Sequence, residues 1–215
     1  MRAWVALGLL AVMLGAATAS AQTRGRPGEF DYYLLSLSWS PAFCARQDEG
    51  ASPEQCGADK RFGFIIHGLW PQHDSGGYPE RCASSRRVPE AVVDAMMPVM
   101  PSVPLITHQW RKHGTCSGLD VEEYFARTRA AFAGITVPPD LAEPAEGLAL
   151  SASEVEARFV QANPGLKPEM IAMICSRNAV TEVRLCLDRE LKPRPCGSDV
   201  IDRCGRRAVL SVPGR

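Results

Sequence analysis

The four histidines, His67, His73, His108 and His113, all fall within one short window of a 215-residue chain. Imidazole is the side chain best suited to proton transfer near neutral pH. The densest stretch is His108-Gln109-Trp110-Arg111-Lys112-His113. On a helix turning about 100° per residue, His108, Gln109, Lys112 and His113 share an arc of about 140°, while Trp110 and Arg111 point elsewhere. That face offers two imidazoles, an ammonium and an amide. A solvated polar face has the same composition, so the pattern alone does not decide. The second candidate is His67-Gly68-Leu69-Trp70-Pro71. Here His67 leaves an expected strand, and Gly68 permits close approach of a backbone or ligand. Two histidines from separate elements plus a lysine suit metal-free cleavage of a phosphodiester. One imidazole takes the proton of an attacking hydroxyl and the other protonates the leaving oxygen. The lysine stabilises charge on the nonbridging oxygens. In RNA the attacking group is the neighbouring 2′-OH.

Metal chemistry fits the spacing poorly. A zinc helix of the H-E-x-x-H kind has histidines four apart with a Glu between, whereas His108 and His113 are five apart with no Glu between them. The closest cysteine pairs, Cys196/Cys204 and Cys186/Cys196, are eight and ten apart, not the C-x-x-C of thiolate sites. Neither metal nor cofactor is expected. Lys plus Arg and Asp plus Glu are 24 each. A chain without net charge does not coat nucleic acid or a membrane surface by bulk electrostatics, so any nucleic-acid partner must be gripped locally.

The first 21 residues read as an export signal. Arg2 is followed by no charge until Arg24, and residues 3–14 (AWVALGLLAVML) are apolar. That run is too short to span a bilayer comfortably, and Ala19-Ser20-Ala21 fits the A-x-A cleavage rule. An uncleaved anchor is the alternative that length disfavours. The expected product is a single domain over 22–215, secreted or periplasmic. All eight cysteines lie in it: Cys44, Cys56, Cys82, Cys116, Cys175, Cys186, Cys196 and Cys204. An even count behind an export signal implies four disulfides, although spacing leaves roughly a hundred possible pairings.

Positioning elements can be sketched from pattern. Residues 30–39 (FDYYLLSLSW) are aromatic and β-prone, with Pro41 ending them. Residues 61–66 alternate Phe62, Phe64 and Ile66 on one face, and residues 71–78 read as a loop. A short helix over 90–97 fits between prolines. Asp120 caps a helix over 121–132, closed by Gly134. Ser153 and Glu156 form a capping box for a helix reaching about Ala162, stopped by Pro164. Residues 170–175 and 180–187 read as strands joined by a turn at 176–178, and 208–212 as a last short strand. Interleaved helices and strands with hairpin-length links favour an α+β fold over a parallel α/β sheet.

These residues resemble the ribonuclease T2 family of secreted acid endoribonucleases. F-I-I-H-G-L-W-P at residues 64–71 looks like its first active-site signature. H-Q-W-R-K-H-G-T-C at 108–116 looks like its second, usually H-E-W-x-K-H-G-T-C. Y-L-L-S-L-S-W-S-P-A-F-C at 33–44 and D-x-x-x-Y-P-x-x-C at 74–82 are similar too. The resemblance covers about residues 30–205. It implies a disulfide-stabilised α+β domain with a central antiparallel sheet packed with helices. It also implies cleavage of RNA through 2′,3′-cyclic phosphates without a metal; the expected substrate is single-stranded RNA and not DNA, and the expected form is a monomer. Carried across, His67 is the proton donor and His113 the acceptor. Lys112 stabilises the transition state, and His108 helps hold phosphate. Trp70 and Tyr78 match base-stacking positions, and Gln72 stands where a base edge could be met. Cysteine positions imply the pairs Cys44–Cys56, Cys82–Cys116, Cys175–Cys204 and Cys186–Cys196.

One residue departs from the pattern. Gln109 stands where the family usually has a catalytic Glu, and an amide cannot carry charge or take a proton. A catalytically weakened protein that binds RNA or another ligand is therefore the competing reading. A zinc hydrolase, the third, lacks the spacing.

Overall fold

Strand β1, Tyr32–Trp39, is the spine of the molecule. The computed structural model describes residues 25–48, 50–85 and 87–212, so the expected leader over 1–21 lies outside the described residues. β1 alternates strictly. Tyr33, Leu35, Leu37 and Trp39 enter the main core, while Tyr32 and Leu34 join a small cluster on the opposite face. The helices are α1 (Ser40–Cys44), α2 (Pro53–Cys56), α3 (Glu90–Met96), α4 (Val103–Lys112), α5 (Val121–Ala133), α6 (Pro139–Ala142) and α7 (Ala152–Ala162). The other strands are β2 (Phe64–Gln72), β3 (Ala149–Ser151), β4 (Ile171–Ser176), β5 (Ala179–Leu187) and β6 (Val209–Ser211). The sheet runs β2-β1-β5-β6-β3, with β4 paired to β5 as a hairpin. Its pairings are antiparallel except for one parallel bridge, Ala179 to Val209, so the sheet is mixed rather than purely antiparallel.

Helices α3, α4, α5 and α7 cover the core face with Met96, Ile106, Trp110, Tyr124, Phe125 and Phe159. The α5 cap is as expected, with Asp120 accepting from the Glu123 amide in a full capping box. In α7 the box is two residues earlier than expected, between Ser151 and Glu154. The S-x-x-E pattern occurs twice here, and the strand β3 that ends at Ser151 selects the first. The hydroxyl of buried Tyr124 donates to the Leu69 carbonyl at 2.8 Å, pinning α5 to β2.

β2 is the element sequence reasoning misread. Gly68 and Pro71 look like breakers, yet the strand runs on from Phe64 to Gln72 because β1 pairs with it along its whole length. Proline is tolerated because β2 is an edge strand. The register jumps between Ser36↔Gly68 and Leu37↔Ile66, which leaves His67 as an extra, unpaired residue. His67 is therefore inside a strand at a β-bulge, not in a loop after one. A bulge re-aims a side chain. Here it lets Ile66 and Leu69, three apart, both enter the core while His67 turns to the opposite face.

The disulfides are Cys44–Cys56, Cys82–Cys116, Cys175–Cys204 and Cys186–Cys196. Among the described residues no helix is long and apolar enough to cross a membrane.

Candidate active site

The chemistry gathers where β2 meets α4. Ser102 starts α4 by accepting from the Leu105 amide, and Pro104 sits in its first turn. The expected single polar face is divided by packing. Ile106, Gln109 and Trp110 are buried, His113 caps the helix and is only 4% exposed, and His108 faces solvent. Gln109 turns inward because it has a partner there: its Oε1 accepts from the Trp70 indole nitrogen at 2.7 Å. Gly68 makes this contact possible. A Cβ at that position would lie 2.2 Å from Trp70 Nε1 and 2.3 Å from Gln109 Oε1.

His67 and His113 flank Trp70. The Trp70 and His113 rings stack at 5.2 Å, and the His67 ring meets Trp70 edge-on, also at 5.2 Å. His67 Nδ1 lies 2.9 Å from Glu182 Oε1. The other Glu182 oxygen accepts from Ser36 Oγ at 3.1 Å and from Arg184, whose guanidinium also lies over the Trp70 ring. Burial alone raises the Glu182 pKa, but the hydrogen bond and charge of His67, together with Arg184, outweigh it and leave it at about 2. With Nδ1 engaged, Nε2 of His67 is the nitrogen free for a substrate.

His113 is the opposite case. Its Nδ1 is sealed in the protein without a hydrogen-bond partner, which again leaves Nε2 for the cleft. Burial, then the charges of Lys112, His108 and His67, lower its pKa to about 3. Burial and Lys112 also lower that of His108. Lys112 Nζ lies 3.7 Å from Glu80 and 5.2 Å from the centre of the Tyr78 ring. Tyr78 is 45% exposed and tilts against His113. Cys82–Cys116 and an Arg81 amide bond to the Lys112 carbonyl hold its loop against the end of α4.

So His67, His113, Lys112, Gln109, Trp70 and Tyr78 meet in one cleft, with His108 on its outer rim. Gln72 does not open to it. It is 3% exposed and its amide donates to the Pro71 carbonyl, because β2 continues past Trp70 instead of releasing a loop. Glu182, Arg184 and Ser36 were missed in the sequence. The core alternation of Val183, Leu185 and Leu187 assigns their neighbours to the other face, and such a face is by default wet. Only the close pairing of β1 with β5 shows that these groups are sheltered together. Among the described residues no three His, Cys, Asp or Glu side chains gather as metal ligands.

The Ribonuclease T2 family matches residues 30–196. A ribonuclease of Aeromonas hydrophila is 44% identical over 117 residues, covering 54% of this chain and 52% of its own. A probable ribonuclease of Haemophilus influenzae is 31% identical over 180 residues, covering 78% of this chain and 61% of its own. The matched stretches thus span between half and two thirds of those relatives. Among solved structures, an RNase-related protein from Calystegia sepium superposes with a TM-score of 0.67 at 22% identity, over 86% of this chain and 98% of its own. At that identity the likeness speaks for the fold.

Proposed function

The chain belongs to the ribonuclease T2 family, and from that premise we propose that it is a metal-independent endoribonuclease acting on single-stranded RNA by transphosphorylation. The observation that carries the reading is the pair of imidazoles flanking Trp70, one buried and one held by a carboxylate, with Lys112 beside them. His113, whose pKa is depressed to about 3, is unprotonated across ordinary pH and takes the 2′-OH proton through Nε2. The 2′-oxygen bonds to phosphorus, the bond from phosphorus to the 5′-oxygen breaks, and protonated His67 gives its Nε2 proton to that oxygen. The products are a 2′,3′-cyclic phosphate and a free 5′-hydroxyl. Lys112 meets the nonbridging oxygens, and His108 helps hold the phosphate. Glu182 is a positioning residue: it orients the His67 ring and balances its charge. Tyr78 is the more open ring for stacking a base, a contact often worth about 1–3 kcal/mol. Trp70 is already engaged by His113, Gln109 and Arg184.

Four disulfides fit an oxidising compartment, in keeping with a secreted or periplasmic monomer released after residue 21. Gln109 favours a second reading, a weakened enzyme that mainly binds RNA, because no carboxylate occupies that position. The two separate on an oligonucleotide with one ribonucleotide in an otherwise deoxyribonucleotide strand. Cutting only 3′ of the ribonucleotide, with a cyclic phosphate terminus, supports the enzyme. Tight binding without turnover supports the second reading.

A further inference from the structure

On the outer side of α4 an open groove of about 740 Å³ adjoins the cleft. Arg81, His108, Arg111 and Lys112 line it, together with the Ser84 and Ser85 hydroxyls, and no carboxylate does. In a chain whose 24 cations balance 24 anions, that is a local excess of one sign even with Lys112 paired to Glu80 at 3.7 Å. No ion pair engages Arg81 or Arg111 among the described residues, in contrast to Arg158, Arg184 and Arg194, each held by an acid. Two cations in the last turn of α4 suit the helix dipole, which is reason enough for Arg111 and Lys112 but not for Arg81. Arg81 belongs to another segment and sits at φ 52°, in the left-handed region that a long side chain rarely adopts. Its amide bond to the Lys112 carbonyl and the Cys82–Cys116 bridge next to it hold it there, and they turn the Arg81 side chain to the groove. Lys112 lines the groove and also lies over the Tyr78 ring beside His113, so the groove borders the candidate site.

We propose that this groove is a second phosphate subsite, in which Arg81 and Arg111 grip a backbone phosphate of the RNA strand beyond the scissile one. It rests on the endoribonuclease reading and adds to it a preference for chain length. Open, unpaired guanidiniums match phosphate geometry through paired N–H donors and contribute in a salt-dependent way. They act on binding, not on the reacting atoms.

The test compares a dinucleoside monophosphate, whose only phosphate is the scissile one, with a pentanucleotide of the same cleavable step. The double variant Arg81→Asn/Arg111→Gln removes both charges, and asparagine tolerates the left-handed backbone at position 81. The variant is expected to cut the dinucleoside monophosphate with unchanged kcat and KM, which also shows that it is folded. On the pentanucleotide its KM rises about tenfold and the dependence of log KM on log salt becomes shallower by about one phosphate's worth. If the variant keeps the wild-type length preference and salt slope, the subsite is wrong while the enzyme reading stands. If the wild-type protein cuts neither substrate, the enzyme reading fails and the subsite fails with it.

Discussion

Glu182 reaches His67 across the sheet from β5, with Ser36 and Arg184 on its second oxygen. Glu182→Gln keeps the shape of this arrangement and removes its charge. We expect kcat to fall by as much as about 10⁴-fold, as when the carboxylate orienting a catalytic histidine is neutralised. KM should change little, because Glu182 acts on the His67 ring and does not touch the substrate, and Glu182→Asp, which keeps the charge, should recover part of the loss. A Glu182→Gln variant with wild-type kcat would leave Glu182 a purely structural residue. Position 109 is complementary. Gln109→Glu can still accept from the Trp70 indole, and it places a negative charge beside the ring stacked on His113. That charge raises the proton affinity of His113, so the acid limb should move to higher pH and the maximal rate should rise. Initial rates on one RNA substrate from acid to neutral pH decide it, and superimposed profiles would show that position 109 has no electrostatic role.

At the scale of elements, positions were read well where local chemistry dictates structure and poorly where pairing does. The α5 helix was legible because Asp120, Glu123, an apolar face and Gly134 agree. The β4–β5 hairpin was legible for the same reason. β2 was not, since Gly68 and Pro71 argue locally for a turn and only its pairing with β1 overrides them. The candidate residues His67 and His113 were legible from type and motif. Their different surroundings were not, because the bulge at His67 and the burial of His113 are tertiary facts. The disulfide pairs came only through resemblance, since spacing leaves many possibilities. One of them carries a prediction. Cys82–Cys116 ties the loop bearing Tyr78, Glu80 and Arg81 to the end of α4. Replacing both cysteines by serine should cost about 2–4 kcal/mol of stability, read as a lower melting temperature. It should also raise KM more than it lowers kcat. An unchanged KM would show that the loop holds its place without the bridge.

For the whole molecule, the buried histidine proposed as the base also makes stability depend on pH. His113 titrates near pH 3 in the fold against an ordinary value of 6.5. Between those values the unfolded chain binds a proton that the folded chain excludes, so stability rises with pH there. The contribution is complete above pH 6.5 and is lost as the pH falls toward 3. Glu182, lowered from 4.5 to about 2, acts in the same direction over a more acid range. Melting temperature should therefore fall on acidification. The fall between pH 6.5 and 4.5 should be smaller in His113→Asn, and an unchanged slope would mean that His113 is protonated in the native protein.

The central claim is that two imidazoles cleave RNA without a metal. It is tested most directly by initial rates on one RNA oligonucleotide, in excess chelator, for the oxidised protein and for His67→Ala and His113→Ala. The account predicts full activity of the unaltered protein in chelator and a loss of about 10²–10⁴-fold in each variant, with circular dichroism unchanged. Activity that vanishes with chelator and returns with added zinc or magnesium would contradict it, as would a near-normal rate in either variant.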